Sequence, residues 1–203
     1  MHIPKSETNQ VNILSFSEAK EKSTSNVYDR NAWLYIPDFY TEYRYVLGTR
    51  GQQPVICIGI NPSTAEPDNL DPTLKSVARI SAANGFDSWL MFNLYAQRAT
   101  RPDDMDLFCN ERLHHENLLA FRELLAIASA CGCKPVVWAA WGAIIEKRSW
   151  LMKCVRDLND LAEQVQADWV CAGNCSVKGH PHHPLYLKKD EPFHEFDIRR
   201  YLA

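Results

Sequence analysis

Four short apolar runs constrain what this chain can fold into more than any other feature: "PVICIGI" at 54–60, "SWLMFNLYA" at 88–96, "PVVWAAWG" at 135–142 and "DWVCAG" at 168–173. In each, the apolar residues are consecutive rather than alternating, the pattern of a strand covered on both faces. The stretches between them are helical. In "LDPTLKSVARISAANGF" Asp71 is placed as the N-cap, Pro72 as the first helical residue, Leu74, Val77 and Ala78 as the inner face, and Asn84-Gly85 as the stop. "HENLLAFRELLAIASAC" at 115–131 is amphipathic with Leu118, Leu125 and Ala128 inward, and a further helix follows the third run through about Gln166. Strands alternating with helices predict an α/β chain folded as a three-layer α/β/α sandwich around a central, mainly four-stranded parallel sheet. An alternating segment, "YRYVLGT" at 43–49, adds a strand ahead of these. Residues 1–27 are polar and weakly periodic, which predicts a loosely held N-terminal extension and leaves 28–203 as a single domain.

With 203 residues, 46% of them apolar, the chain can bury a core without disulfides or a metal. Its 22 basic and 25 acidic residues give a net charge of −3. That excludes a protein that coats nucleic acid through a global basic field, but allows an enzyme that grips one nucleotide with a local patch. "MHIPKSETNQVNILSF" lacks the charged start and long apolar stretch of a signal peptide, and no run approaches the ~20 apolar residues of a membrane helix. The expectation is a cytoplasmic protein with reduced thiols and no membrane partner. The seven cysteines (57, 109, 131, 133, 154, 171 and 175) are odd in number and scattered, and read as buried small apolar residues. "CAGNC" and "CGC" lack paired CxxC spacing.

In an open parallel sheet, ligands gather at the carboxyl ends of the strands. Here those ends carry Asn61-Pro62-Ser63-Thr64, then Asn93, Gln97 and Arg98, then Trp141-Gly142, then "NCSVKGHPHHPLYLKK" at 174–189. A carboxamide does not ionise, so Asn61 cannot act as a strong base; its oxygen can hold a water, or it can clamp a carbonyl or ring nitrogen. His180, His182 and His183 can donate to a developing oxyanion or titrate near neutrality. No Ser–His–Asp or Cys–His arrangement stands out. A site that positions water and stabilises a departing anion suits cleavage of an N-glycosidic bond, in which the bond largely breaks before the nucleophile arrives.

"GINPS" resembles the first motif of the uracil-DNA glycosylase superfamily, especially its mismatch-specific uracil/thymine branch, where a strand ends in Gly-x-Asn-Pro-Gly. "WLMFNLYAQRAT" resembles that superfamily's strand-end asparagine segment, "VVWAAWGAIIEK" its apolar strand ending in Trp-Gly, and "HPHHPL" its second motif, His-Pro-Ser-Pro-Leu. The order matches across residues 43–190. The set "NPSTA…DPT…NLYAQRAT…GHPHHPLYL" also resembles, more specifically, a family of small bacterial and phage proteins catalogued as a domain of unknown function.

The glycosylase resemblance implies that Asn61 places the attacking water, Asn93 reads the flipped base, His180 or His183 stabilises the departing base, and Leu185 or Tyr186 wedges into the stack. Ser63 stands where the motif has glycine, and "HPHHPL" is one residue longer than the second motif, so either histidine fits the role. Asp71 is both an N-cap and a carboxylate placed to orient the water or support a sugar cation. A base-flipping enzyme also needs phosphate contacts and a stacking surface. Ser63, Thr64, Lys75, Arg79, Arg98, Arg101, Lys178, Lys188 and Lys189 are candidates for the first, and Phe86, Phe92, Tyr95 and Trp141 for the second. The resulting expectation is a monofunctional, cofactor-free and metal-free DNA glycosylase, without an obligate protein partner. It would act on a uracil-like or modified pyrimidine, in phage defence or modified-DNA processing. Two other readings stand beside it: a non-catalytic nucleic-acid or nucleotide-binding module, and a metal-dependent hydrolase using His180, His182, His183 and Cys175.

Overall fold

A computed structural model describes residues 7–99, 101–130 and 132–203; residues 1–6 of the expected extension and Cys131 lie outside the described residues. The strands are β1 (Trp33–Ile36), β2 (Val46–Thr49), β3 (Pro54–Gly59), β4 (Ser88–Asn93), β5 (Val136–Ala139), β6 (Asp168–Ala172) and β7 (Phe193–Glu195). The α-helices are α1 (Phe16–Lys22), α2 (Pro72–Ala83), α3 (Glu111–Ser129), α4 (Leu151–Gln164) and α5 (Ile198–Leu202). The four apolar runs become β3 to β6, which pair in parallel in the order β4-β3-β5-β6. Every residue of β3 and β4 is buried, as consecutive apolar patterning requires.

The sheet has seven strands rather than four, in the order β1-β2-β4-β3-β5-β6-β7, and it is mixed. β2 runs antiparallel to β4, β1 antiparallel to β2, and β7 antiparallel to β6. These additions occupy the edges of the parallel core, where β4 and β6 would otherwise present unpaired N–H and C=O groups. Period-2 alternation sends side chains to two cores. Val55, Cys57, Trp89, Met91 and Trp138 pack with Leu74, Val77 and Ile80 of α2. Ile56, Ile58, Leu90, Phe92, Val137 and Ala139 pack with α3 and α4. Helices therefore flank the sheet on both faces.

The second helix forms as its sequence dictates: Asp71 caps it by accepting from Leu74 N at 2.8 Å, Pro72 opens it, and Gly85 stops it at φ +84°.

Residues 7–27 differ from the expectation of a loose extension. Thr8, Ile13, Phe16 and Ala19 are buried. Ser15 and Glu18 form a reciprocal capping box that starts α1, and Phe16 N donates to Glu116 Oε2 of α3 at 2.8 Å. Asp106 gathers Thr8 N at 2.9 Å, the Thr8 hydroxyl, the Tyr95 hydroxyl at 2.6 Å and Gln97 Nε2 at 3.0 Å in one buried network. Three apolar side chains and a buried carboxylate thus hold down a segment whose average composition is polar. Among the described residues, no helix is long and apolar enough to cross a membrane.

Candidate functional site

β3 leads into α2 on one face of the sheet, whereas β4 leads into α3 on the other. Connections leaving in opposite directions open a crevice at the carboxyl ends of the strands. A cleft of about 230 Å³ lies there, lined by Arg44, Gly59, Ile60, Asn61, Ser63, Asp71, Thr73, Leu74, Met91, Asn93, Ala99, Ile144 and His183.

Asn93 ends β4 directly opposite Gly59 of β3, and α3 fixes its backbone: Asn117 Nδ2 donates to the Asn93 carbonyl at 2.9 Å. The Asn93 side chain is 1% exposed, yet neither its nitrogen nor its oxygen has a hydrogen-bond partner within the described protein. Buried amides are normally paired, which sets this one apart among the residues lining the cleft. Gly59 leaves the room, since a Cβ there would sit 2.9 Å from Asn93 Oδ1 and 2.6 Å from Met91 Cε.

Asn61 is oriented from its other end. Its Nδ2 donates to the Ala99 carbonyl at 2.6 Å and to the Pro62 carbonyl at 3.3 Å, which leaves the amide oxygen as the atom for the cleft. Ser63 donates its hydroxyl to Asp71 Oδ2, and the other Asp71 oxygen caps α2. Asp71 thus caps α2 as expected and ties the "NPS" loop to the start of the helix, with both oxygens engaged at the edge of the cleft.

Of the two candidate histidines, His183 is the one at the cleft. Its Nδ1 accepts from Leu185 N at 3.4 Å, placing the ring proton on Nε2, and burial pushes its pKa below 6.5 against a weaker opposing pull from Asp71. At neutral pH it is an uncharged imidazole with one N–H to offer. His180 lies instead in a separate depression with Cys175, Lys178 and Tyr201. Both its nitrogens are engaged, Nδ1 with the Tyr201 hydroxyl at 2.8 Å and Nε2 with Glu146 Oε1 at 3.0 Å. His182 is exposed. Among the described residues the three histidines and Cys175 do not form a group able to hold a metal ion.

Arg44 was not foreseen. It is 2% exposed, donates through Nη1 to the Ala65 carbonyl at 2.8 Å, and has an unpartnered Nε. Burial, aided by the charge of Arg98, lowers its pKa to about 9, so it remains a cation at neutral pH. A signal existed in the sequence, a lone arginine between two tyrosines in "YRYVLGT"; Tyr43 and Tyr45 are both fully buried.

Several expected site residues lie elsewhere. Arg98 is buried and donates to the Ser63 carbonyl at 2.6 Å and the Tyr35 hydroxyl at 3.0 Å, so it braces the loop from behind instead of facing phosphate. Tyr95 belongs to the Asp106 network, and Phe86 packs on Phe193 with ring centroids 5.9 Å apart. Phe92 packs on Phe121, and Trp141 lies among Trp169, Phe196 and Tyr201. Aromatics on a parallel sheet are drawn into its two cores before they can serve as surface. Lys178 pairs with Glu146 at 3.0 Å beside His180. Thr64 is half-buried in the "NPST" loop, Arg79 donates to Ser76 Oγ, and Lys75, Arg101, Lys188 and Lys189 are exposed. Leu185 and Tyr186 follow His183 in a short 3-10 turn and are 44% and 79% exposed, with the Tyr186 ring 5.9 Å from that of His183.

Fold and cleft define the class: an α/β protein with a mixed seven-stranded sheet and an amide-lined polar cleft at the carboxyl ends of its parallel strands. The chain belongs to the family DUF1643, described as a protein of unknown function, whose model matches residues 44–185. That span contains Arg44, Asn61, Ser63, Asp71, Asn93 and His183. No curated protein and no solved structure matches the chain.

Proposed function

We propose that this protein is a monofunctional DNA glycosylase acting on a uracil-like or modified pyrimidine flipped into the cleft. The observation that carries the reading is the Asn93 carboxamide, buried and without a protein partner, in one cleft with Asn61, Asp71 and His183. An adjacent amide donor and acceptor match the N–H and C=O of a cyclic imide edge, the edge a uracil-like ring presents. The volume of 230 Å³ falls below the ~300–1,000 Å³ usual for drug-sized ligands. It suits one ring, with the sugar and phosphates outside along a rim carrying exposed Leu185, Tyr186, Lys188 and Lys189. The glycosylase-like order of motifs supports the same assignment.

In the proposed reaction the C1′–N1 bond breaks and its electron pair leaves with the base. The Asn61 amide oxygen accepts a hydrogen bond from the water that then bonds to C1′. The proton released by that water goes to the base or to solvent. His183 Nε2–H and the Arg44 cation face the charge that develops on the departing ring. Asp71 acts by holding Ser63 and the start of α2.

A specific observation favours a second reading, a binding module on the same scaffold: both Asp71 oxygens are already engaged, so the cleft holds no carboxylate without a partner. Asn61→Ala separates the two. Oligonucleotides carrying uracil, thymine mismatches or bulky modified pyrimidines are incubated with protein and scored for alkali-labile abasic sites. The glycosylase reading expects cleavage that falls about 100-fold in the variant with DNA affinity nearly unchanged. Release of no base from any substrate, with binding retained, leaves the binding module.

A further inference from the structure

Outside the cleft, the turn leading into α3 and the first turn of α4 bring together Cys109, His114 and Cys154, whose potential ligand atoms all lie within 4.8 Å of one another. Cys109 is half-buried and Cys154 fully buried. His114 is 2% exposed. Its Nε2 bonds to Asp157 Oδ2 at 2.7 Å, and Lys153 Nζ holds the same oxygen at 2.9 Å. The carboxylate therefore fixes the proton on Nε2. The other nitrogen, Nδ1, is buried and has no hydrogen-bond partner.

We propose that Cys109, Cys154 and His114 Nδ1 form a binding site for a borderline-soft divalent cation of the Zn²⁺ class, with Asp157 orienting the imidazole from behind. Two independent observations meet here: three soft donors at ligand spacing, and an imidazole lone pair that nothing else among the described residues uses. A carboxylate on the far nitrogen of a ligating histidine is the usual outer support of such sites, because it fixes the tautomer and raises basicity. The donor set selects zinc over magnesium or calcium, which take oxygen ligands. Zinc–sulfur distances of about 2.3 Å put two tetrahedral thiolates roughly 3.8 Å apart, so closing the present spacing needs shifts of about 1 Å or less. Two thiolates neutralise the dication, and loading releases two thiol protons. Cys109 lies on the solvent side, which leaves the fourth position to water.

The other close thiol pair, Cys171 and Cys175 at 3.8 Å, belongs to no such three-residue group among the described residues and serves as the internal control. Chelator-stripped, reduced full-length protein is titrated with Co²⁺. The proposal expects saturation at one equivalent, thiolate-to-cobalt absorption in the near ultraviolet, visible bands of tetrahedral cobalt, and displacement by Zn²⁺. Zinc should also raise Tm by roughly 5–10 °C when it is about 100-fold above its Kd. Cys109→Ser, at the half-buried position, should fold, lose the charge-transfer band and lose the zinc-dependent Tm rise, while Cys175→Ser keeps both. Absence of a stoichiometric cobalt spectrum overturns the site. So does a spectrum unchanged by Cys109→Ser, or a Cys109–Cys154 disulfide in protein purified without oxygen.

Discussion

Replacing Asn93 with leucine tests whether its carboxamide serves the fold or a ligand. The two side chains have the same number of heavy atoms and the same branching, so the exchange keeps shape and removes polarity. If the amide serves the fold, the change strands a partner and destabilises. Here neither amide atom has a protein partner although the residue is 1% exposed. Each buried unsatisfied polar group costs about 1–3 kcal/mol, and water in the cleft relieves part of that. The net expectation is a gain of roughly 1 kcal/mol in the free protein, or about 2–4 °C in Tm for a chain of this size. Base release should meanwhile fall by about 100-fold or more, since the imide edge of the substrate then faces two methyl groups. Thermal and urea melts of both proteins, with single-turnover cleavage on the substrate found for the wild type, provide the assay. A drop in Tm of 2 °C or more, at an unchanged urea slope, refutes the reasoning: the amide would then be bonded inside the protein and unavailable to a base.

Gly59→Ala should cost about 1–3 kcal/mol by overpacking, because the new Cβ lies 2.6 Å from Met91 Cε and 2.9 Å from Asn93 Oδ1; urea midpoints measure it, and base release should fall with it as Asn93 is displaced. His183 carries a pH signature. Its folded pKa is below 6.5, so between that value and 6.5 the unfolded chain binds more protons. Its contribution is fully present above pH 6.5 and is lost as pH falls through the folded value. Urea midpoints from pH 7 to pH 5 should therefore decline more steeply for wild type than for His183→Gln.

The parallel core was legible because β3 and β4 are buried throughout and β5 and β6 largely so, and consecutive apolar residues record that directly. The edges were not. β7 is three residues, Phe193-His194-Glu195, with two of them exposed; its strand character comes from pairing with β6 and from Phe193 packing against Trp138, neither visible locally. Residues 7–27 show the opposite case. Ser15 and Glu18 spell a capping box, a local signal outweighed by the polar average around it. At the site, Asn61, Ser63, Asp71 and Asn93 could be read because strand ends in a parallel sheet converge by topology. The choice between His180 and His183 could not, because it depends on where the C-terminal helix puts Tyr201, which claims His180. Arg44 was harder to read: the lone arginine in "YRYVLGT" marks an unusual position, but the segment alone does not say that it lines the cleft.

That position has a chemical consequence. The two buried guanidiniums differ in what they have left to give. Arg98 gives both terminal nitrogens to the Ser63 carbonyl and the Tyr35 hydroxyl, whereas Arg44 meets only the Ala65 carbonyl; neither makes an ion pair among the described residues, and each keeps an unpartnered Nε. Asp71, in the same cleft, offsets part of the burial cost of the Arg44 cation, and what remains is relieved by whatever becomes negative beside it. A neutral pyrimidine does not relieve it on binding. The same ring does so as its glycosyl bond breaks and the electron pair arrives. On the proposed reading, Arg44 is therefore better compensated as the base departs than in the free protein or the substrate complex, which is the differential that accelerates a reaction instead of tightening a complex. The neutral His183 N–H works in the same direction, since a donor strengthens as its acceptor gains charge. Asn93, by contrast, matches an edge that is already present in the ground state. On that reading the cleft would divide selection and acceleration between different residues: the carboxamide chooses the ring, and the cation with the imidazole responds to its leaving.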